Sequence, residues 1–217
     1  MATTIVLGLL TLAPAAAQAV SQVSVSLTGG NTLQVVGGGG ADGIDVNHET
    51  DPKCPGGSPC YLLNDSLAGS ALSASAPCLV TGTPGTSDER ALCPASGVTG
   101  LAMFGHGGDD ILTVGKSARA LRADIHGGAG GDGIIGGSKA DTLFGGSGRD
   151  QIFGARGNDT IIGGPGSDRT LIGSAGDDLL MGQAGNDGMN GGPGHDRCIG
   201  GPGRDIPRHC EQVKSAP

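Results

Sequence analysis

Aromatic side chains are nearly absent from this chain: its 217 residues include no tryptophan, one tyrosine and three phenylalanines. Large cores draw much of their buried area from aromatic and branched side chains, so any core here is thin. Basic residues are also scarce, 13 against 21 acidic ones, for a formal net charge of −8. That balance argues against nucleic acid as a partner, because its recognition needs a clustered basic surface. No apolar run is long enough to span a bilayer, and no segment carries a convincing amphipathic-helix period. The cysteines never form C-x₂-C, and His48, His106, His126, His195 and His209 keep no zinc-ligand spacing. Catalytic signatures are missing too. His48-Glu49 runs into Thr50, Asp51 and Pro52 rather than completing H-E-x-x-H, and there is no G-x-S-x-G elbow.

What is abundant is glycine, 45 residues of it. The beginning of the chain, MATTIVLGLLTLAPAAAQAV, has a short apolar run at 5–12 and a small-x-small pattern at Ala17-Gln18-Ala19. It reads as a secretory signal peptide over residues 1–19, although no basic residue precedes the apolar run. Six cysteines agree with export. They fall in close neighbours, Cys54 with Cys60, Cys78 with Cys93 and Cys198 with Cys210. Six cysteines allow 15 connectivities, and neighbour pairing is the simplest of them.

From Gly127 the chain divides into nine consecutive units, beginning GGAGGDGII, GGSKADTLF and GGSGRDQIF and ending GGPGRDIPR. Eight units have nine residues, and the one at 163–172 has ten. The first position is always Gly and the sixth always Asp, giving Asp132, Asp141, Asp150, Asp159, Asp168, Asp178, Asp187, Asp196 and Asp205. The eighth is usually aliphatic, as in Ile134, Leu143, Ile152 and Ile161. A three-residue period is absent, which excludes collagen. Two weaker copies lie upstream, at 37–45 with Asp42 and at 105–113 with Asp110. Neither has a same-edge partner that can be registered in the sequence. Residues 47–97, with four cysteines and no repeat, read as an insertion within an N-terminal β-rich region, 20–126. Runs at 23–27, 32–36 and 121–125 alternate like strands. The array with its C-terminal cap covers 127–210, and 211–217 is a tail.

Each unit combines a six-residue glycine turn with a three-residue strand whose middle side chain points inward. Such strands bury nothing alone, but stacked in parallel they form a ladder of aliphatic side chains. Two units make one coil, so turns on one edge come from alternate units. One edge carries Asp132, Asp150, Asp168, Asp187 and Asp205; the other carries Asp141, Asp159, Asp178 and Asp196. Carboxylates stacked about 4.8 Å apart repel one another. A cation between successive turns removes that repulsion. Carboxylate and peptide oxygens are hard donors, which select Ca²⁺ over softer metals and, for their flexible geometry, over Mg²⁺.

The units resemble the RTX (repeats-in-toxin) pattern G-G-x-G-x-D-x-U-x, with U a large aliphatic residue. The resemblance implies an all-β fold, a parallel β-roll with Ca²⁺ between neighbouring turns. Its implied ligands are the nine array aspartates, more weakly Asp42 and Asp110, and the carbonyls of Gly128, Gly130, Gly146, Gly148, Gly157, Gly164, Gly166, Gly176, Gly185, Gly192 and Gly194. Adjacent same-edge pairs number four and three, so seven ions is the ceiling. Lys139 replaces a turn glycine beside Asp141, and the extra residue near Arg169 predicts a bulge between Asp168 and Asp178. Ala155, Ser174 and Gln183 are milder departures, and Pro207 ends the aliphatic series. A Cys198–Cys210 bridge would staple the final coil, worth roughly 3 kcal/mol in loop entropy.

The function this implies is a secreted, non-enzymatic protein whose folding is coupled to several Ca²⁺ ions. An adhesive or matrix role, with an unknown cell-surface or matrix partner, is the alternative; an accessory array of a secreted hydrolase is the weaker one. The seventh positions form no regular Thr face for ice, and no long apolar segment suits a pore former.

Overall fold

The computed structural model describes residues 22–28, 31–49, 54, 59–65, 71–74, 78–81, 90–118 and 120–214. The expected signal peptide lies outside them. The described residues are all β, without a helix, so none is long and apolar enough to cross a membrane. Upstream strands are β1 (Gln22–Thr28), β2 (Thr32–Val36), β3 (Gly43–Glu49), β4 (Cys60–Asp65), β5 (Ala71–Ala74), β6 (Leu79–Thr81) and β7 (Arg90–Pro94). Next come β8 (Gly100–Gly107), β9 (Ile111–Val114), β10 (Arg122–Ala129), β11 (Gly133–Ile135), β12 (Thr142–Ser147), β13 (Gln151–Arg156) and β14 (Thr160–Ile162). The series closes with β15 (Thr170–Ala175), β16 (Leu179–Met181), β17 (Gly188–Asn190), β18 (Arg197–Ile199), β19 (Ile206–Arg208) and β20 (Gln212–Lys214).

From β8 onward consecutive strands alternate between two sheets, as a solenoid requires. One runs β20-β18-β16-β14-β12-β10-β8-β2-β1-β5 and the other β19-β17-β15-β13-β11-β9-β3-β4-β7-β6. Pairing is parallel from β2 and β3 to the C-terminal end. The parallel β-roll therefore continues upstream of Gly127. Antiparallel strands β4, β7 and β6 extend one sheet from β3, and the parallel series resumes at β8 beside β2. Disulfides join Cys54 to Cys60, Cys78 to Cys93 and Cys198 to Cys210, so neighbours pair in all three cases.

A three-residue strand such as β14 buries only its middle residue. Parallel register then stacks those residues into two columns. Met103, Ile125, Leu143, Ile161, Leu180 and Cys198 follow one another in the first sheet, and Ile44, Leu112, Ile134, Ile152, Leu171 and Met189 in the second. All twelve are buried. This thin interior holds none of the phenylalanines. Phe104 and Phe144 flank His126 on the outer face of the first sheet, with ring centroids 5.0 and 4.4 Å apart, and Phe153 is likewise only half-buried. Burial of one aliphatic residue per strand leaves little to offset glycine's conformational entropy.

The extra residue of the ten-residue unit is absorbed at Arg169. Gln151 pairs with Thr170 and Ile152 with Leu171, so the regular register resumes one residue later. Ala155, Ser174 and Gln183, which replace second-position glycines, adopt left-handed backbone with φ of 80°, 80° and 71°. A Cβ in that region costs about 1–2 kcal/mol. Ala155→Gly should therefore stabilise the folded roll by about 1 kcal/mol after the extra entropy of glycine in the unfolded chain. Denaturant melts of the two proteins at one calcium concentration provide the comparison.

Candidate metal centre: two columns of buried aspartates

Each turn delivers its aspartate to the residue just before a strand, Asp168 excepted, where Arg169 intervenes, and the parallel register stacks these residues. The backbone amide of each donates to the Oδ1 of the next aspartate on the same edge. In the first column the amides of Asp132, Asp150 and Asp168 donate to Asp150, Asp168 and Asp187 at 2.8, 2.8 and 3.0 Å, and Asp187 donates to Asp205. In the second, Asp141 donates to Asp159, Asp159 to Asp178 and Asp178 to Asp196, each at 2.8 Å. The assignment of alternate units to two edges holds throughout. The upstream copies also have same-edge partners: the Asp42 amide donates to Asp110 Oδ1 at 2.7 Å, and Asp110 to Asp132 Oδ1 at 2.8 Å. The second column ends on Glu211, whose Oε2 accepts the Asp196 amide.

The other carboxylate oxygen is the informative one. Asp42, Asp110 and the first eight array aspartates are buried, at most 2% exposed. Oδ2 of Asp110, Asp132, Asp150, Asp159, Asp168, Asp178, Asp187 and Asp196 is enclosed without a hydrogen-bond partner. Buried polar groups are ordinarily paired, and orphaned carboxylate oxygens carry a large desolvation cost.

The surroundings of these oxygens show what is missing. A Cβ built on Gly145 would press against Asp150 Oδ2 and lie 2.6 Å from the Gly163 carbonyl oxygen. The same cradle recurs at Gly154, between Asp159 Oδ2 and the carbonyl of Gly173, and at Gly182, between Asp187 Oδ2 and that of Gly200. The free Oδ2 thus lies beside a peptide carbonyl; in the first cradle the Gly146 amide already donates to that carbonyl at 2.9 Å, and Oδ2 is left without a donor. A cation or a proton would satisfy it. These carbonyls belong to first-position glycines, whereas the motif directs attention to the second and fourth. Among the described residues no three His, Cys, Asp or Glu side chains form a metal cluster. A bound ion would therefore need peptide oxygens, and hard oxygen donors are what the cradles present.

Asp141 departs from the pattern. Its Oδ1 accepts the Ala123 amide at 2.7 Å and its Oδ2 the Gly137 amide at 2.6 Å, so both oxygens have donors. This is the turn into which Lys139 intrudes. Asp42 is similar, with the Gly38 amide donating to its Oδ2 at 2.7 Å.

Burial raises the carboxyl pKa values of Asp110 and of the array aspartates from Asp132 to Asp196 above their ordinary range, against the opposing effect of the amide hydrogen bonds. Asp110 and Asp159 reach about 7, and Asp150, Asp168 and Asp178 about 6. Like-charged neighbours along each column add to the rise, as Asp141 and Asp178 do for Asp159.

Residues 135–169 and 170–207 match the family model described as the RTX calcium-binding nonapeptide repeat. The match spans the aspartates from Asp141 to Asp205. Neither the curated proteins nor the solved structures contain a significant match to this chain.

Proposed function

We propose that this chain, in which residues 135–169 and 170–207 are RTX calcium-binding nonapeptide repeats, is a secreted scaffold that folds around several Ca²⁺ ions. The observation carrying this reading is the repeated meeting of an orphaned, buried Asp Oδ2 with a peptide carbonyl. The residues fit the ion. Asp110, Asp132, Asp150, Asp159, Asp168, Asp178, Asp187 and Asp196 would supply carboxylate oxygen, with first-position glycine carbonyls opposite several of them. Asp205 closes the first column through Oδ1, and Asp42 and Asp141 are weaker candidates because donors already satisfy them. Ca²⁺ would supply charge neutralisation and cross-coil bonds where the thin aliphatic columns supply little.

The three disulfides suit an oxidising exterior. There calcium is abundant, and extracellular calcium modules bind at about 10⁻⁴–10⁻³ M. In calcium-poor cytosol the chain would stay open; on export, ion binding would draw it into the roll. The role is structural and ion-binding rather than catalytic.

Far-ultraviolet circular dichroism during a calcium titration of the metal-stripped protein tests this. A cooperative gain of β signal, reversed by EGTA, is expected. No gain up to about 10 mM, above the affinity range of such modules, overturns the proposal.

A further inference from the structure

We propose that Glu211 and the His209 carbonyl complete a divalent-cation site with Asp196, beyond the last nonapeptide and unmarked by any repeat motif. This rests on the calcium reading of the columns. Within the array, successive aspartates of one column lie 18 or 19 residues apart, and a step of 18 from Asp196 would reach Lys214. The chain takes a shorter path. Arg197 pairs with Gln212 and Cys198 with Val213, so β20 begins three residues early. The residue immediately before the strand, the place Asp141, Asp159, Asp178 and Asp196 hold in the coils above, is consequently Glu211.

Glu211 makes the bond characteristic of that place. Its carboxylate accepts the Asp196 amide, as Asp196 Oδ1 accepts that of Asp178. Asp196 is 1% exposed, and its Oδ2 is enclosed without a partner. The cradle is also rebuilt: a Cβ on Gly191 would press against both Asp196 Oδ2 and the carbonyl oxygen of His209. His209 therefore offers the peptide oxygen that Gly173 offers beside Asp159. Cys210, between His209 and Glu211, is bonded to the buried Cys198, which fixes both donors to the end of the roll. Two carboxylates and a peptide carbonyl are hard donors, and their charge suits Ca²⁺.

Glu211→Gln keeps an acceptor for the Asp196 amide and removes the charge. Equilibrium dialysis of the full chain against labelled Ca²⁺, with circular dichroism on the same samples, reads the site. The expected result is an unchanged spectrum in calcium and one ion fewer per chain, or one ion held roughly tenfold more weakly, since ligand charge tunes such affinities. Unchanged stoichiometry and affinity overturn the inference while leaving the calcium reading intact. Loss of several ions together overturns it too, because Glu211 would then support the coil rather than one site. If the unaltered chain binds no calcium, both fall.

Discussion

Gly148→Ala is expected to abolish cooperative folding of the array at calcium concentrations that fold the unaltered chain. Gly148 has φ of 137°, a backbone region essentially closed to residues with a Cβ. Its coil also lies flat on the one before, so a methyl group would overlap the Gly130 carbonyl oxygen. The same collision repeats down the edge, Gly166 against Gly148 and Gly185 against Gly166. Relief requires the two coils to part. Parting them would break the bond from Gly130 N–H to the Ser147 carbonyl, 2.9 Å, and open the Asp132–Asp150 contact. Steric strain and backbone strain together are worth on the order of 4 kcal/mol, a large share of the stability of a domain this size. Gly39→Ala is the control, since a Cβ there meets nothing within 4 Å. Calcium-dependent dichroism should survive in the control and shift to much higher calcium, or vanish, in Gly148→Ala. Equal titrations of the two variants would show that the coils do not pack closely at the fourth position.

Much of this architecture is legible in the sequence because its regularity is chemical. An invariant Asp sixth in each unit and an aliphatic eighth give the two columns and the inward ladder directly, and Lys139 marks the one array turn where both carboxylate oxygens find amide donors. Legibility fails where the period is interrupted. Asp42 and Asp110 lie 68 residues apart, and Asp110 and Asp132 lie 22 apart, so no fixed step reveals that they stack. The intervening chain, 50–99 in one case and 115–121 in the other, leaves the parallel register intact while hiding it from a periodic reading. Glu211 escapes for the opposite reason, a coil shortened rather than lengthened. The first-position carbonyls escape because any residue carries a carbonyl. Only the coil geometry, with glycine leaving room for Asp Oδ2, shows which peptide oxygen faces the acid.

Acid and calcium should substitute for each other, giving opposite pH profiles with and without the ion. In the calcium-free chain burial is the main reason that Asp110 and Asp159 titrate near 7 and Asp150, Asp168 and Asp178 near 6. In the unfolded chain the same groups titrate near 3.9. The folded state therefore binds more protons than the unfolded state between about pH 4 and 7, and stability rises as pH falls through that window. At pH 8 the penalty of the buried charges is fully present; by about pH 4–5 most of it is gone. With EGTA, lowering the pH from 8 to 5 should increase β signal and raise the melting temperature. With saturating calcium the sign reverses, because protons and Ca²⁺ compete for the same carboxylates and metal affinity falls as the acids protonate. Binding at pH 6.5 should release protons, measurable by calorimetry in buffers of different ionisation enthalpy. Thermal melts across this range, with and without calcium, give the two profiles. If they run parallel and no protons are released, the buried acids are not the groups that hold the ion. A proton can relieve a single orphaned oxygen; only a multivalent ion also joins one coil to the next, so the calcium-loaded roll should be the more stable of the two at every pH above about 6.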